Sequence, residues 1–393
     1  MKMEQGLFCG RTRHLDVFLV CAALIASGCF SRVVRSRFEP TFSARGVNEY
    51  RLRNGLRVLL VSDPRSSRGF LNFMVGAGSV DEMPGKRGVA HLLEHVMVNG
   101  PLTDDGFHTR LQGNGAQFGG HSSHDAAVYQ ANFPGNDTAL DIVLESLGEW
   151  LMGARLDLTD LEGEKREVLS EIDLTEDRPD WVLMNSVRAT AFRWHGYSRK
   201  TQGSPADIAR ISTEDVRDFY EQHYRPENAL LVLAGRFEEA EAIERLDATF
   251  GRMESKGKRL ELDRSIEPAQ RGERHVVERR DAGMQLCAAA YHVVASAHPD
   301  RAAIDVLAEA LVGGRSSLLY SKLVEVGLAT ASRVPALQTA SCTLREIQGF
   351  CTSRPGHLKE KPSKLSTTRS SRSWRRRARR SSPSTSRGRN CGC

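Results

Sequence analysis

The sequence predicts an α+β fold: an antiparallel sheet backed by helices, followed by an incomplete second domain of the same type. Three observations predict it. Short strand-like runs come first, between residues 49 and 75. Strongly apolar helical patterns dominate from residue 88 to 194. One more apolar strand, Ala229 to Leu233, comes before a closing helix. Elements grouped in this way favour an antiparallel layer arrangement over a strict βαβ alternation. A strand–helix pattern then begins again near residue 275.

The elements can be justified in order. Glu49 to Arg53 faces Leu56 to Val61 across Asn54-Gly55, a dipeptide that favours a tight two-residue hairpin turn. Phe70 to Val75 is a further strand, and Gly76 to Gly88 is a loop that delivers the chain to a helix over residues 88–97. Phe107 to Leu111 is a short helix. Ala116 to His121 and Ala126 to Phe133 are strands flanking Ser122 to Asp125. Asp137 to Gly153 carries Leu140, Ile142, Val143, Leu147, Trp150 and Leu151 at helical spacing and is a core helix. Residues 161–172 form the next helix, with Thr159 and Glu162 as a capping box. Trp181 to Trp194 is helical, and Tyr197 to Pro205 is a loop. Thr213 to Tyr224 is a helix capped by Ser or Thr, and Glu238 to Phe250 closes the first domain. After a charged linker, 256–274, strands are expected at His275 to Glu278 and Gln285 to Val293. Helices follow at Arg301 to Val312 and from Gly313-Gly314 to Leu323. The Gly313-Gly-Arg-Ser-Ser317 turn lacks the spacing of a phosphate-binding loop.

The chemistry-bearing stretch is Gly88-Val-Ala-His91-Leu-Leu-Glu94-His95-Val-Met97. On a helix, His91 and His95 lie one above the other, with Glu94 close to the same face. Two imidazoles at this spacing can grip one Zn²⁺, and zinc lowers the pKa of water from about 15.7 to about 7. A carboxylate between them can take the proton. An amphipathic helix with two surface histidines has the same pattern. Catalytic zinc also needs a third protein ligand. The helix at 161–172 offers Glu164, Glu167 and Glu171 at i, i+3 and i+7. A solvated acidic face balanced by Lys165 and Arg166 is the plainer account of these three carboxylates. His121 and His124 invite assignment as further ligands, but a loop or edge position exposed to solvent is the simpler expectation.

Taken together, the two stretches resemble the pitrilysin/insulinase zinc metallopeptidases, the inverzincins, whose signature is His-x-x-Glu-His. Further fragments agree in order. They are Asn54-Gly-Leu-Arg-Val58; Gly76-Ala-Gly-Ser79 with Asp81; Asp125 to Tyr129; and Tyr224-Arg-Pro-Glu-Asn-Ala229 running to Gly235. The likeness covers roughly residues 46–350. It implies zinc ligands His91, His95 and Glu171, with Glu94 as general base. It also implies that Glu164 acts from behind the ligands. The first strand after residue 115 is implied to be a sheet edge on which peptide substrate adds as an extra strand. There the chain departs from the pattern, with Gly119-Gly120 for Asn-Ala and Ala127 for Thr. The implied activity is zinc-dependent endopeptidase action on unfolded peptides or small proteins. In the family a second half or partner subunit encloses the site, which implies a homodimer or a partner here. A catalytically weak or inactive zinc-binding partner subunit is the alternative, as is a truncated product that folds only to about residue 250.

The remaining segments bear on location. Lys2, Arg11 and Arg13 precede an apolar run, Val17 to Ala26, too short to span a bilayer. With Ala26-Ser-Gly-Cys29 resembling a lipobox, residues 1–29 are expected to be an export signal, with a lipid anchor at Cys29. That would place the protein on the periplasmic side of a bacterial envelope. Residues 30–45 are a tether, 46–255 the peptidase domain, 256–274 the linker and 275–345 a partial second domain. From residue 346 the chain is a basic tail, expected to be disordered, in which Trp374 precedes a run of arginines. The abrupt loss of apolar periodicity there suggests a shifted reading frame. The formal charge of +6 is concentrated in that tail and says little about the partner of the folded part. A basic tail for nucleic acid or anionic lipid is the rival reading, ranked lower for an exported protein, so no nucleic-acid partner is expected. The eight cysteines form no C-x-x-C pair and no disulfide framework.

Overall fold

The computed structural model of the protein describes residues 38–99, 106–153, 158, 160–257, 265–281, 283, 285–331 and 344–345. The proposed leader, its cysteine and the basic tail lie outside the described residues. The described residues divide into two compact units, one of residues 38–169 and 200–257 and the other of residues 170–199 and 265–345.

The first unit is built on a seven-stranded sheet. Its strands are β1 (Phe42–Ala44), β2 (Val47–Arg51), β3 (Arg57–Ser62), β4 (Arg68–Val75), β5 (Gln117–Ser122), β6 (Ala127–Pro134) and β7 (Ala229–Gly235). Their spatial order is β1-β2-β3-β7-β4-β6-β5. The sheet is mixed: every pairing is antiparallel except β3 with β7, which is parallel. β7 reads Ala-Leu-Leu-Val-Leu-Ala-Gly, a continuous apolar run in which alternate residues are buried. β4 and β6 alternate in the same way. They turn Leu71, Phe73, Val75, Tyr129, Ala131 and Phe133 inward.

The helices of this unit are α1 (Val89–Asn99), α2 (Phe107–Gly113), α3 (Asp137–Gly153) and the first part of α4 (Leu161–Glu176), whose residues from Ser170 are counted in the second unit with α5 (Pro179–Ala191); α6 (Pro205–Ile208), α7 (Thr213–His223) and α8 (Glu239–Thr249) follow in the first unit. α3 buries Val143, Leu144 and Leu147 against β6 and α8, and Phe250 stacks on Phe73 at 5.9 Å. Ser212 caps α7 in a reciprocal box with Asp215.

Four local expectations need correction. The hairpin at Asn54-Gly55 has a three-residue loop, closed by Leu52 N–H to Leu56 C=O at 2.9 Å, with Gly55 at φ +92°. Asn54 is diverted by its side chain, which donates to the carbonyls of Phe250 and Met253. The cap of α4 is Asp160, whose carboxylate accepts the Gly163 N–H at 3.2 Å; Thr159 lies outside the described residues. α5 stops at Ala191, short of Trp194. Among the described residues of the second unit, 275–278 form no strand, and the run 285–293 is reduced to a single bridge residue at Gln285 and the short strand Tyr291–His292 (β8), which pairs with Leu344–Arg345 (β9). The intervening chain is held by side chains instead. Arg274 donates to the carbonyls of Thr190 and Ala191, Ser186 to Glu278, and Arg280 to Glu176. α9 (Arg301–Val312) forms as expected, followed by a π-helical turn at Tyr320–Val324.

Candidate metal centre

The site starts from α1 and the way the chain enters it. Gly88 has φ +96°, and a Cβ there would lie 2.5 Å from Ile208 Cδ1 and 2.6 Å from the Gln202 carbonyl oxygen. Only glycine fits this turn. Glu82, 4% exposed, then accepts the N–H groups of Gly88 at 2.9 Å and Ala90 at 3.0 Å, placing a negative charge at the helix N-terminus. Leu92, Leu93 and Met97 are buried on the opposite side and fix the helix about its axis. Each such side chain contributes roughly 1.5–3 kcal/mol.

With the rotation fixed, His91 and His95 stack edge to face, ring centroids 4.7 Å apart. Glu94 is 7% exposed, and its Oε2 lies 3.2 Å from His91 Nδ1. The same Nδ1 is 3.0 Å from Ser122 Oγ at the end of β5. His95 Nδ1 lies 3.7 Å from Glu164 Oε2, and both oxygens of Glu164 accept from Asn99 Nδ2, at 2.8 and 3.0 Å. On α4 the carboxylates divide: Glu164 and Glu171 are partly buried, whereas Glu167 and Glu162 are exposed. Seven residues separate Glu164 from Glu171, two turns of one continuous helix. One donor atom each from His91, His95 and Glu171 lies within 4.8 Å of the others.

This donor set fits a zinc ion. Two imidazole nitrogens and a carboxylate are a zinc combination. Tetrahedral ligands with bonds of about 2.0–2.1 Å stand roughly 3.4 Å apart, so atoms gathered within 4.8 Å need only a small inward adjustment.

Behind the site, Tyr129 of β6 and Tyr224, just after α7, share a hydroxyl–hydroxyl hydrogen bond of 2.5 Å. Burial pushes both phenols well up, and the charge of Glu94 adds to the shift. Tyr220, half-buried, is pushed up by desolvation to about 12. All three are neutral at ordinary pH, and Tyr220 donates to the Leu151 carbonyl.

His121 is exposed, as expected. His124 is not: it is 5% exposed, because Ser79 and Val80 donate their N–H groups to the carbonyls of Ser123 and His124 and draw the loop inward. Neither histidine joins the group of three. Sequence reading missed Ser122, Asn99 and Glu82. Asn99 had a signal, being four residues after His95 on one helix face; the other two meet their partners only in the folded chain.

The fold, with a His-His-Glu group that could hold a metal ion, is that of a metallopeptidase-type αβ domain. Residues 57–204 match the family model described as "Insulinase (Peptidase family M16)", and residues 210–357 match "Peptidase M16 inactive domain". The chain belongs to the pitrilysin/insulinase-type peptidases, family M16. It is similar to the uncharacterized zinc protease YmxG of Bacillus subtilis, 24% identical over 220 residues, 56% of this chain and 53% of that one. It is also similar to the mitochondrial-processing peptidase subunit beta of Blastocladiella emersonii, 26% identical over 205 residues, 52% of this chain and 44% of that one. Among solved structures, a protease from Helicobacter pylori superposes with TM-score 0.73 at 25% identity, covering 79% of this chain and 75% of that one. The chain thus spans about half the length of these two curated relatives. Among the described residues, no helix is long and apolar enough to cross a membrane.

Proposed function

We propose that the chain is a zinc-dependent endopeptidase acting on unfolded peptides or small proteins, with residues 46–255 as its catalytic domain. The observation that carries this reading is the gathering of His91, His95 and Glu171 donors beside the shielded carboxylate of Glu94. His91, His95 and Glu171 would hold the ion. When bound, zinc supplies Lewis acidity toward the scissile carbonyl and toward water. Glu94 takes the proton of the attacking water and passes it to the leaving amine, a step worth roughly 10²–10⁴ in rate. Glu164, braced by Asn99, orients His95. Among the described residues β5 is an edge strand of the sheet, and the space above Gly119 is open, which suits an extended peptide added through main-chain hydrogen bonds.

Two further proposals complete this reading. The chain works with a second copy or a partner subunit; a relative named as a subunit of a processing peptidase supports this. It is exported and held to the envelope through Cys29, a proposal that rests on the leader sequence. The rival reading, a weak or inactive zinc-binding partner subunit, draws on the match of residues 210–357 to an inactive-domain model. The intact Glu94 weighs against it. Cleavage of an internally quenched, unstructured peptide decides between them. Activity abolished by Glu94→Gln and by a zinc chelator supports the endopeptidase. One zinc per chain with no cleavage, alone or with a second family subunit, favours the partner.

A further inference from the structure

Ser122 has no role in the account given so far. It ends β5, the edge strand, and its Oγ lies 3.0 Å from Nδ1 of His91. Glu94 Oε2 lies 3.2 Å from that same nitrogen. Nδ1 therefore has two oxygens within reach, a hydroxyl and the carboxylate that the proposed chemistry uses as its base. An imidazole offers a cation only one nitrogen, and the hydrogen bond made by the other decides which.

We propose that Ser122 is the positioning residue of the centre, accepting the Nδ1–H of His91 so that Nε2 is the nitrogen offered to the metal. This rests on the zinc reading above. Its consequence is a division of labour. With the hydroxyl as the acceptor, Glu94 need not serve as the orienting partner of His91 and stays available for proton transfer. Without Ser122, the Glu94 carboxylate still lies beside Nδ1 as an acceptor. The ring is then less well fixed, and the base is engaged. Because Ser122 belongs to the strand on which an extended peptide would add, the orienting contact and the candidate substrate edge share one element.

The test uses the full chain, zinc as the probe and a chromophoric chelator in competition. Ser122→Ala and Ser122→Val should weaken zinc binding by about 10–100-fold, the usual loss when a partner of a metal-bound histidine is removed. Ser122→Thr, isosteric with the valine variant but keeping the hydroxyl, should stay within about threefold of wild type. The metal-free melting temperatures of the threonine and valine variants should agree, which separates orientation of the ring from a general loss of packing. Nitrogen-15 NMR of the labelled histidines should report Nδ1–H at His91 in wild type and Ser122→Thr. Valine binding zinc as tightly as threonine, or a His91 protonated at Nε2 in wild type, overturns the proposal while leaving the zinc reading standing. Wild-type protein that binds no zinc, or a His91→Ala variant that binds it undiminished, overturns both.

Discussion

Replacing Glu82 by alanine removes the acceptor for two backbone N–H groups in the first turn of α1. Both bonds are short, 2.9 Å to Gly88 and 3.0 Å to Ala90, and the residue is 4% exposed, so water cannot readily take over. A hydrogen bond to a charged group contributes roughly 1.5–3 kcal/mol. The negative charge at the helix N-terminus adds about 0.3–1 kcal/mol. Partial relaxation of the turn at Gly88 recovers some of this, which sets the expected loss for Glu82→Ala at about 3 kcal/mol. Glu82→Gln keeps one acceptor oxygen and should lose about half as much. Urea titration of the metal-free protein, followed by far-ultraviolet circular dichroism, reads both values. Because His91 lies one residue beyond Ala90, the alanine variant should also bind zinc more weakly. An alanine variant destabilised by less than about 1 kcal/mol, or a glutamine variant as damaged as alanine, would refute the capping argument.

Other expectations follow from the same structure. Gly88→Ala forces an L side chain into φ +96° and against the Gln202 carbonyl, at a cost of at least about 2 kcal/mol, visible as a lowered thermal midpoint. Burial pushes the Asp215 carboxyl up, but hydrogen bonds from the Lys86 ammonium and from Ser212 outweigh it and hold the pKa below the ordinary value. That depressed pKa means the contribution of Asp215 is present above about pH 4 and is lost as pH falls through the lower folded-state value. Asp215→Asn should therefore flatten the acid limb of a plot of urea midpoint against pH. Tyr129→Phe strands the buried hydroxyl of Tyr224 and should cost about 1–3 kcal/mol in the same titration. In wild type, Tyr129 and Tyr224 should stay silent in an alkaline absorbance titration until the protein unfolds.

What the sequence made legible was local. His91, Glu94 and His95 share a helix face because 3.6-residue periodicity and the buried Leu92, Leu93 and Met97 leave that helix one orientation. Asp137–Gly153 and Arg301–Val312 begin and end where their apolar patterns do. What stayed hidden depends on chain meeting chain. The parallel pairing of β3 with β7 joins segments more than 160 residues apart, and hydrophobic alternation carries no record of it. The extended runs at 275–278 and 285–293 have strand composition, but a strand also needs a neighbour. Over these residues the polar anchors from α5 and Glu176 take most of that place, leaving Val277 at 76% exposure. His124 looked like a loop residue by composition. Two backbone hydrogen bonds from Ser79 and Val80, which no side-chain pattern announces, turn its loop inward. Ser122 and Glu82 have the same character: each is an ordinary polar residue until the fold sets it against a ring nitrogen or a helix end.

The most direct test of the central claim is the zinc content of the purified full chain after dialysis, measured by elemental mass spectrometry across four proteins. The account predicts about one zinc per chain in wild type and in Glu94→Gln, where the base is altered but the ligands remain. It predicts a drop to a small fraction of that in His91→Ala and in Glu171→Gln. Zinc retained equally in all four, or absent from wild type, would contradict the assignment of His91, His95 and Glu171 as the metal centre.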